Sequence, residues 1–166
     1  MTEIDIKTDH IKKTLGKYIN KNLEEFIDSP KQTRYRNNVI FSIGYNKDRN
    51  IDIGPLLTSK IVLNSTENLT VSQTMIDICE IIKEYIINNP ELGITNYDEY
   101  SGFWRHTHIR QNLKNEFSIL FRFSNFDEYQ ETWNIYKVKF IEFVNTKVKE
   151  LGYSFIKKKK QKCLVK

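Results

Sequence analysis

A chain of 166 residues that is 39% hydrophobic and 13% aromatic has the apolar side chains for one folded domain, and 28% charged residues is ordinary for a globular protein, so intrinsic disorder is not its default. The net charge of +5 is local: residues 157–166 carry six lysines and no acid, while the rest of the chain carries 20 basic against 21 acidic residues. No apolar run approaches the ~20 residues of a membrane span, and the acidic start Met1-Thr2-Glu3-Ile4-Asp5 lacks a signal-peptide apolar core. An intracellular, cytoplasmic protein with no membrane partner is expected, with Cys79 and Cys163 as thiols rather than a disulfide.

In chain order, Ile11, Leu15, Tyr18, Ile19, Leu23, Phe26 and Ile27 keep helical spacing, which predicts a leading helix within residues 1–28. Asp28-Ser29-Pro30 ends it, because proline cannot continue the backbone ladder. Val39, Phe41, Ile43 and Tyr45 alternate with Ile40, Ser42 and Gly44, the period of a strand. Asn46-Lys47-Asp48-Arg49-Asn50 reads as a turn, and Ile51 to Leu57 as the returning strand of a hairpin.

Thr70-Val71-Ser72-Gln73 fits a capping box. Met75, Ile78, Cys79, Ile82, Tyr85 and Ile86 then form one helical stripe, stopped by Asn89-Pro90. Gly102 to Arg110 reads as a strand, Asn112-Leu113-Lys114-Asn115 as a turn, and Phe117, Ile119, Phe121 and Phe123 as a returning strand. Ser124 is placed to cap a third helix, with Asp127 and Glu128 near its positive end and a stripe from Tyr129 and Trp133 to Val148 and Leu151. Gly152 stands where a left-handed cap belongs, and Tyr153 to Ile156 makes a further short strand.

The order α-ββ-α-ββ-α predicts an α+β fold: an antiparallel sheet of two hairpins with helices packed on it. It covers residues 1–156 as one domain and leaves 157–166 as a Lys-rich tail. A doubly wound nucleotide fold would need alternating strands and helices, which the pattern does not offer.

Chemistry is sparse. The glycines at 16, 44, 54, 93, 102 and 152 are too scattered for a dinucleotide or phosphate loop. Cys79 sits mid-stripe as a small buried hydrophobe, and Cys163 lies in the tail without an ordered site around it. His106 and His108 share one face of a strand. A metal site needs three or four ligands and no carboxylate stands beside the pair, which leaves a solvated or RNA-facing strand face. No catalytic residue and no metal is expected. Lys31, Arg34 and Arg36 form a basic approach segment suited to phosphates, and Arg122 interrupts an apolar strand.

Two segments carry a family resemblance. Tyr35-Arg36-Asn37-Asn38-Val39-Ile40-Phe41-Ser42-Ile43-Gly44 follows Ser29-Pro30 and matches, at Tyr35, Arg36, Asn37, Phe41 and Gly44, a pattern of aromatic-Arg-Asn-Lys-x-Glu-Phe-x-x-Gly. It resembles the motif that opens the central domain of the RNA 5-methyluridine methyltransferases, the tRNA (uracil-5-)-methyltransferase family. Gly102-Phe103-Trp104-Arg105 through Arg110 resembles a later strand of the same domain in eukaryotic members. The two lie in family order and spacing, and the resemblance covers about residues 10–151. Asn38 stands at the family's lysine and Ile40 at its glutamate.

The resemblance implies a catalytically incomplete homologue, equivalent to the central domain that helps grip the tRNA T-arm. It implies no cofactor on this chain, with S-adenosylmethionine expected only on a missing or separate catalytic domain. The implied partners are tRNA or another structured RNA and a catalytic methyltransferase chain acting in trans. The expected RNA contacts are Lys31, Arg34, Arg36, Asn37, Phe103, Trp104, Arg105, Arg110 and Arg122, with Phe103 or Trp104 stacking on an unpaired base. If Thr107 and Ile109 face the core, then Trp104, His106, His108 and Arg110 share the outer face and Arg105 points the other way. The alternative is a non-enzymatic protein-interaction module or remnant that keeps the fold without reading RNA.

Overall fold

The computed structural model describes residues 3–18, 33–58, 60–96, 99 and 101–156. The chain divides into two compact units, Met1–Gln32 and Thr33–Lys166. In the first, helix α1 (Glu3–Leu15) closes with a single 3-10 turn, Gly16–Tyr18. The rest of the expected leading helix with its Pro30 stop, the expected RNA-binding residue Lys31, Tyr100, and the Lys-rich tail with Cys163 lie outside the described residues.

The second unit is α+β. Strands β1 (Asn38–Tyr45), β2 (Ile51–Gly54), β3 (Trp104–Gln111), β4 (Glu116–Phe123) and β5 (Ser154–Phe155) form one sheet in the order β2-β1-β3-β4-β5. The two expected hairpins are present and join through an antiparallel β1–β3 pairing. The short strand after the last helix is β5, which pairs parallel to β4. β2 stops at Gly54 rather than Leu57, because the chain folds back: Leu63 N–H donates to Pro55 O at 2.8 Å and Leu57 N–H to Ile61 O at 2.8 Å.

Helices α2 (Gln73–Asn88) and α3 (Phe126–Glu150) pack on one face of this sheet. The cap of α2 differs from the expected Thr70–Gln73 box. Ser72 Oγ accepts from Met75 N–H, whereas the Thr70 hydroxyl donates to Asn68 and the Gln73 amide to Asp77. Likewise α3 starts not on Ser124 but on Asn125, which is left-handed (φ 49°) and caps through no side-chain bond. Asn tolerates that conformation because its short polar side chain bonds locally.

α2 buries more than the predicted stripe, adding Ile76 and Ile81, since it packs against both the sheet and α3. Tyr85 joins the two helices: its ring centroid lies 4.9 Å from that of Phe140, and its hydroxyl donates to Tyr136 O at 3.2 Å. Under α3 an aromatic cluster of Phe103, Trp104, Phe121, Phe123, Trp133 and Phe140 fills the end of the core. Val39, Phe41, Ile43, Thr107, Ile109 and Phe117 supply the sheet's side of it. Because side chains alternate along a strand, the intervening residues face away from both helices.

Candidate nucleic-acid interface

The face of the sheet turned away from α2 and α3 is built by cross-strand registers on β1, β3 and β4. Asn38 pairs with Arg110, which pairs with Ser118; Ile40 with His108, then Leu120; Ser42 with His106, then Arg122. Directly paired residues share a face, so these make three parallel rows. Asn38, Ile40, Arg110, Leu120 and Arg122 are exposed, His106, His108 and Ser118 are half-buried, and Ser42 is buried. Beyond Ser42 the face is covered. Gly54 lies opposite Ser42, and a Cβ there would collide with the Leu63 carbonyl, so the backbone at Leu63 crosses that end.

Polar contacts order the rows. His108 Nε2 contacts Asn38 Oδ1 and lies 3.1 Å from Arg110 Nε, and His106 Nδ1 lies 3.2 Å from Ser42 Oγ. Burial and then Arg105 and Arg122 lower the His106 pKa; burial and then Arg110 lower that of His108. Burial and the positive field around them therefore favour the neutral form of both imidazoles. β1 and β3 contain no acid, and β4 contains only Glu116, which accepts from Asn112 Nδ2 at 2.7 Å beyond Ser118. The ion pairs Lys83–Asp52 and Lys83–Glu80 on α2, and Lys147–Glu84 between α2 and α3, lie away from this face.

The approach segment enters beside the Arg110 row. Arg34 is left-handed (φ 53°), donates from its backbone to Leu69 O at 2.7 Å, and from Nη1 to Gln73 Oε1 at 2.9 Å. Arg36 N–H donates to Thr70 O at 2.9 Å, and Asn37 O accepts from Gln111 N–H at 2.8 Å. The Arg36 and Asn37 side chains stay exposed, whereas Arg34 is pinned to the first turn of α2.

Phe103 and Trp104, expected to stack on a base, are core residues with 0% and 1% exposure. The reason is a register shift between Trp104 and His106, a bulge at Arg105. An extra residue reverses the alternation, so Trp104 turns inward with Thr107 instead of outward with His106. Arg105 is half-buried next to it. Gly102, with φ +84°, is needed because a Cβ would collide with Ile94 O. Thr95 N–H donates to Trp104 O at 2.9 Å and Phe103 N–H to Gly93 O at 3.2 Å. The Gly102-Phe103-Trp104 motif is thus a packing device that anchors the 93–95 loop.

The structure therefore gathers Arg110 and Arg122 on one surface, sets Arg36 and Asn37 at its entry, and sends Phe103 and Trp104 inside. Sequence reasoning puts His108 on an outer strand face without making it an RNA-binding residue, notes Ile40 only as a departure from the family pattern, and passes over Leu120. Their signal is the parity of each strand, usable only once the strand pairing is known. Cys79 is fully buried and burial drives its thiol pKa strongly up, so it stays a protonated core side chain. Among the described residues no group of three or more His, Cys, Asp or Glu is placed to hold a metal, and no helix is long and apolar enough to cross a membrane.

No protein-family model matches the chain, and no curated protein matches it. Solved structures do match. One is the Pyrococcus abyssi tRNA (uracil-54, C5)-methyltransferase in complex with S-adenosyl-L-homocysteine, with a TM-score of 0.57 and 23% identity over 72% of this chain and 28% of that enzyme. At that identity the likeness speaks for the fold, which is shared with a segment spanning 28% of a tRNA methyltransferase.

Proposed function

We propose that this protein is an RNA-binding module related to the tRNA uracil-5-methyltransferases, which grips the T-arm of tRNA through the face of its sheet opposite α2 and α3. Methyl transfer, S-adenosylmethionine and the catalytic cysteine are assigned to a domain outside these 166 residues, on this polypeptide or on a partner chain. The observation that carries the reading is the acid-free face itself. Arg110 and Arg122 stand exposed there with no ion-pair partner among the described residues, and Arg36 lies at its entry. Such a surface attracts phosphates, and cationic contacts of this kind dominate RNA affinity. The shared fold with a tRNA methyltransferase segment adds support.

The test is a titration of a labelled T-arm hairpin and a mismatched hairpin with the full chain and with the Arg110→Ala/Arg122→Ala variant, across a salt series. T-arm selectivity in the full chain is expected. The variant should bind more weakly, with a salt slope shallower by about one unit for each phosphate it no longer holds. Equal binding of both hairpins, unchanged in the variant, would sink the reading and favour a protein-interaction module.

A further inference from the structure

The three rows on the face opposite α2 and α3 are not chemically alike. The Arg110 row is polar: Asn38, Arg110 and Ser118. The His106 row is also polar: Ser42, His106 and Arg122. Between them the central row is Ile40, His108 and Leu120, and its two aliphatic side chains are 66% and 65% exposed. A solvated polar face has no use for two large apolar groups at its centre, flanking one aromatic ring. A surface meant only for phosphates has none either.

We infer that the Ile40–His108–Leu120 row seats one unpaired base of the bound RNA, with Arg110 and Arg122 taking backbone phosphates on either side, an assignment that rests on the RNA-binding reading. The dimensions fit. Neighbouring strands lie about 4.8 Å apart, so a base laid on the imidazole reaches Ile40 on one flank and Leu120 on the other. Successive rows on one face are about 6.6 Å apart along the strands, which sets the two arginine rows about 13 Å from each other with the base between them. The seat is also pre-ordered: Arg110 Nε donates to His108 Nε2 at 3.1 Å, with Asn38 packed beside the ring, and Ser42 Oγ lies 3.2 Å from His106 Nδ1 in the next row. Binding then costs little side-chain freedom at the ring.

An unpaired base is the occupant that this chemistry selects. In a duplex the apolar faces of the bases are stacked inside, and the outer surface offers phosphates and sugars that gain nothing from Ile40 and Leu120. A splayed base offers its face to the imidazole and the aliphatic flanks while its own backbone runs to the cations, as single-strand binders arrange stacking platforms within basic grooves. The positive, acid-free surround disfavours a purely apolar protein segment, which would have to desolvate both arginines.

The experiment compares two RNAs with the full chain at ~0.15 M salt, where non-specific phosphate attraction is damped: an unstructured oligoribonucleotide carrying 2-aminopurine at its centre, and a blunt hairpin duplex of the same composition. Ile40→Ser/Leu120→Ser and His108→Ala lie at solvent-facing positions, and a thermal melt verifies that each remains folded. The expected result is preferential binding of the single strand with quenched 2-aminopurine fluorescence. Both central-row variants should lose the quench and about five-fold or more of single-strand affinity, with duplex binding unchanged. Arg110→Ala/Arg122→Ala should weaken both RNAs. Equal affinity for both RNAs with no quench, or a quench that survives both central-row variants, overturns the base seat while leaving RNA binding intact. Failure of the chain to bind either RNA overturns the seat and the RNA-binding reading together.

Discussion

On the helix-covered face of the sheet, Val39, Thr107 and Ile109 are buried under α2 and α3; one residue along the same strands, Asn38, Ile40 and Arg110 are exposed. The covered face is dense with rings, from Trp104 and Phe121 to Trp133 and Phe140. The open face carries arginines, imidazoles and two isolated aliphatic groups. Stability is therefore set by one set of residues on these strands, and the proposed recognition by the alternate set. Substitutions one position apart should separate them, and where they do not, the division fails.

The largest effect belongs to Trp104→Ala. This ring, 1% exposed, meets Phe103, Phe121, Phe123, Trp133 and Phe140 at centroid distances of 5.1 to 5.7 Å. Its removal should cost about 3–5 kcal/mol in denaturant unfolding. A loss within the ~0.5 kcal/mol of an ordinary surface change would mean that Trp104 faces solvent, as strand parity alone predicts. Arg110→Ala/Arg122→Ala is the converse: stability should hold to about 0.5 kcal/mol while RNA affinity falls, and the same pair of measurements reads both.

Thr107→Val gives a smaller effect of opposite sign. Thr107 is fully buried and its hydroxyl has no hydrogen-bond partner among the described residues. Replacing it with a methyl of similar shape should raise stability by about 1 kcal/mol, because an orphaned buried hydroxyl is a net cost. A loss of stability would reveal a partner for that oxygen.

The smallest effect is in pH. His106 and His108 both titrate below the ordinary 6.5, so between that value and their folded-state pKa values the unfolded chain binds more protons than the folded one. Their contribution is fully present above about pH 6.5 and is lost as pH falls through that window. Thermal melts from pH 7.5 to 5.5 should drop more steeply for the native chain than for His106→Gln/His108→Gln. RNA binding should move the other way, strengthening as the imidazoles gain charge. Parallel melting curves would mean that neither burial nor the neighbouring arginines lowers these pKa values.

The candidate interface was partly legible. Arg122 stands out because it interrupts an apolar strand, and Arg110 because it ends one. Phe103 and Trp104 mislead because an aromatic side chain looks the same in a sequence whether it packs or stacks. His106 and His108 invite a metal-ligand reading that their neighbours do not support, and Ile40 registers only as a departure from a family pattern. What marks them as a surface is their row partners, Ser42 and Arg122 for His106, and Ile40 and Leu120 for His108, which lie on other strands.

The sequence by itself determined the α+β order, the two hairpins, the stripe of α2 and the breaker that ends it, because periods of 2 and 3.6 and the constraints of Pro and Asn are local properties of the chain. Tertiary structure alone decided that β1 pairs with β3, that β5 runs parallel to β4, that Ser72 and not Thr70 caps α2, and that the Arg105 bulge turns Trp104 inward. The reason is physical. Alternation says which residues share a face, but which face the helices cover, and where one extra residue exchanges the two, depends on contacts between segments that meet only in the folded chain.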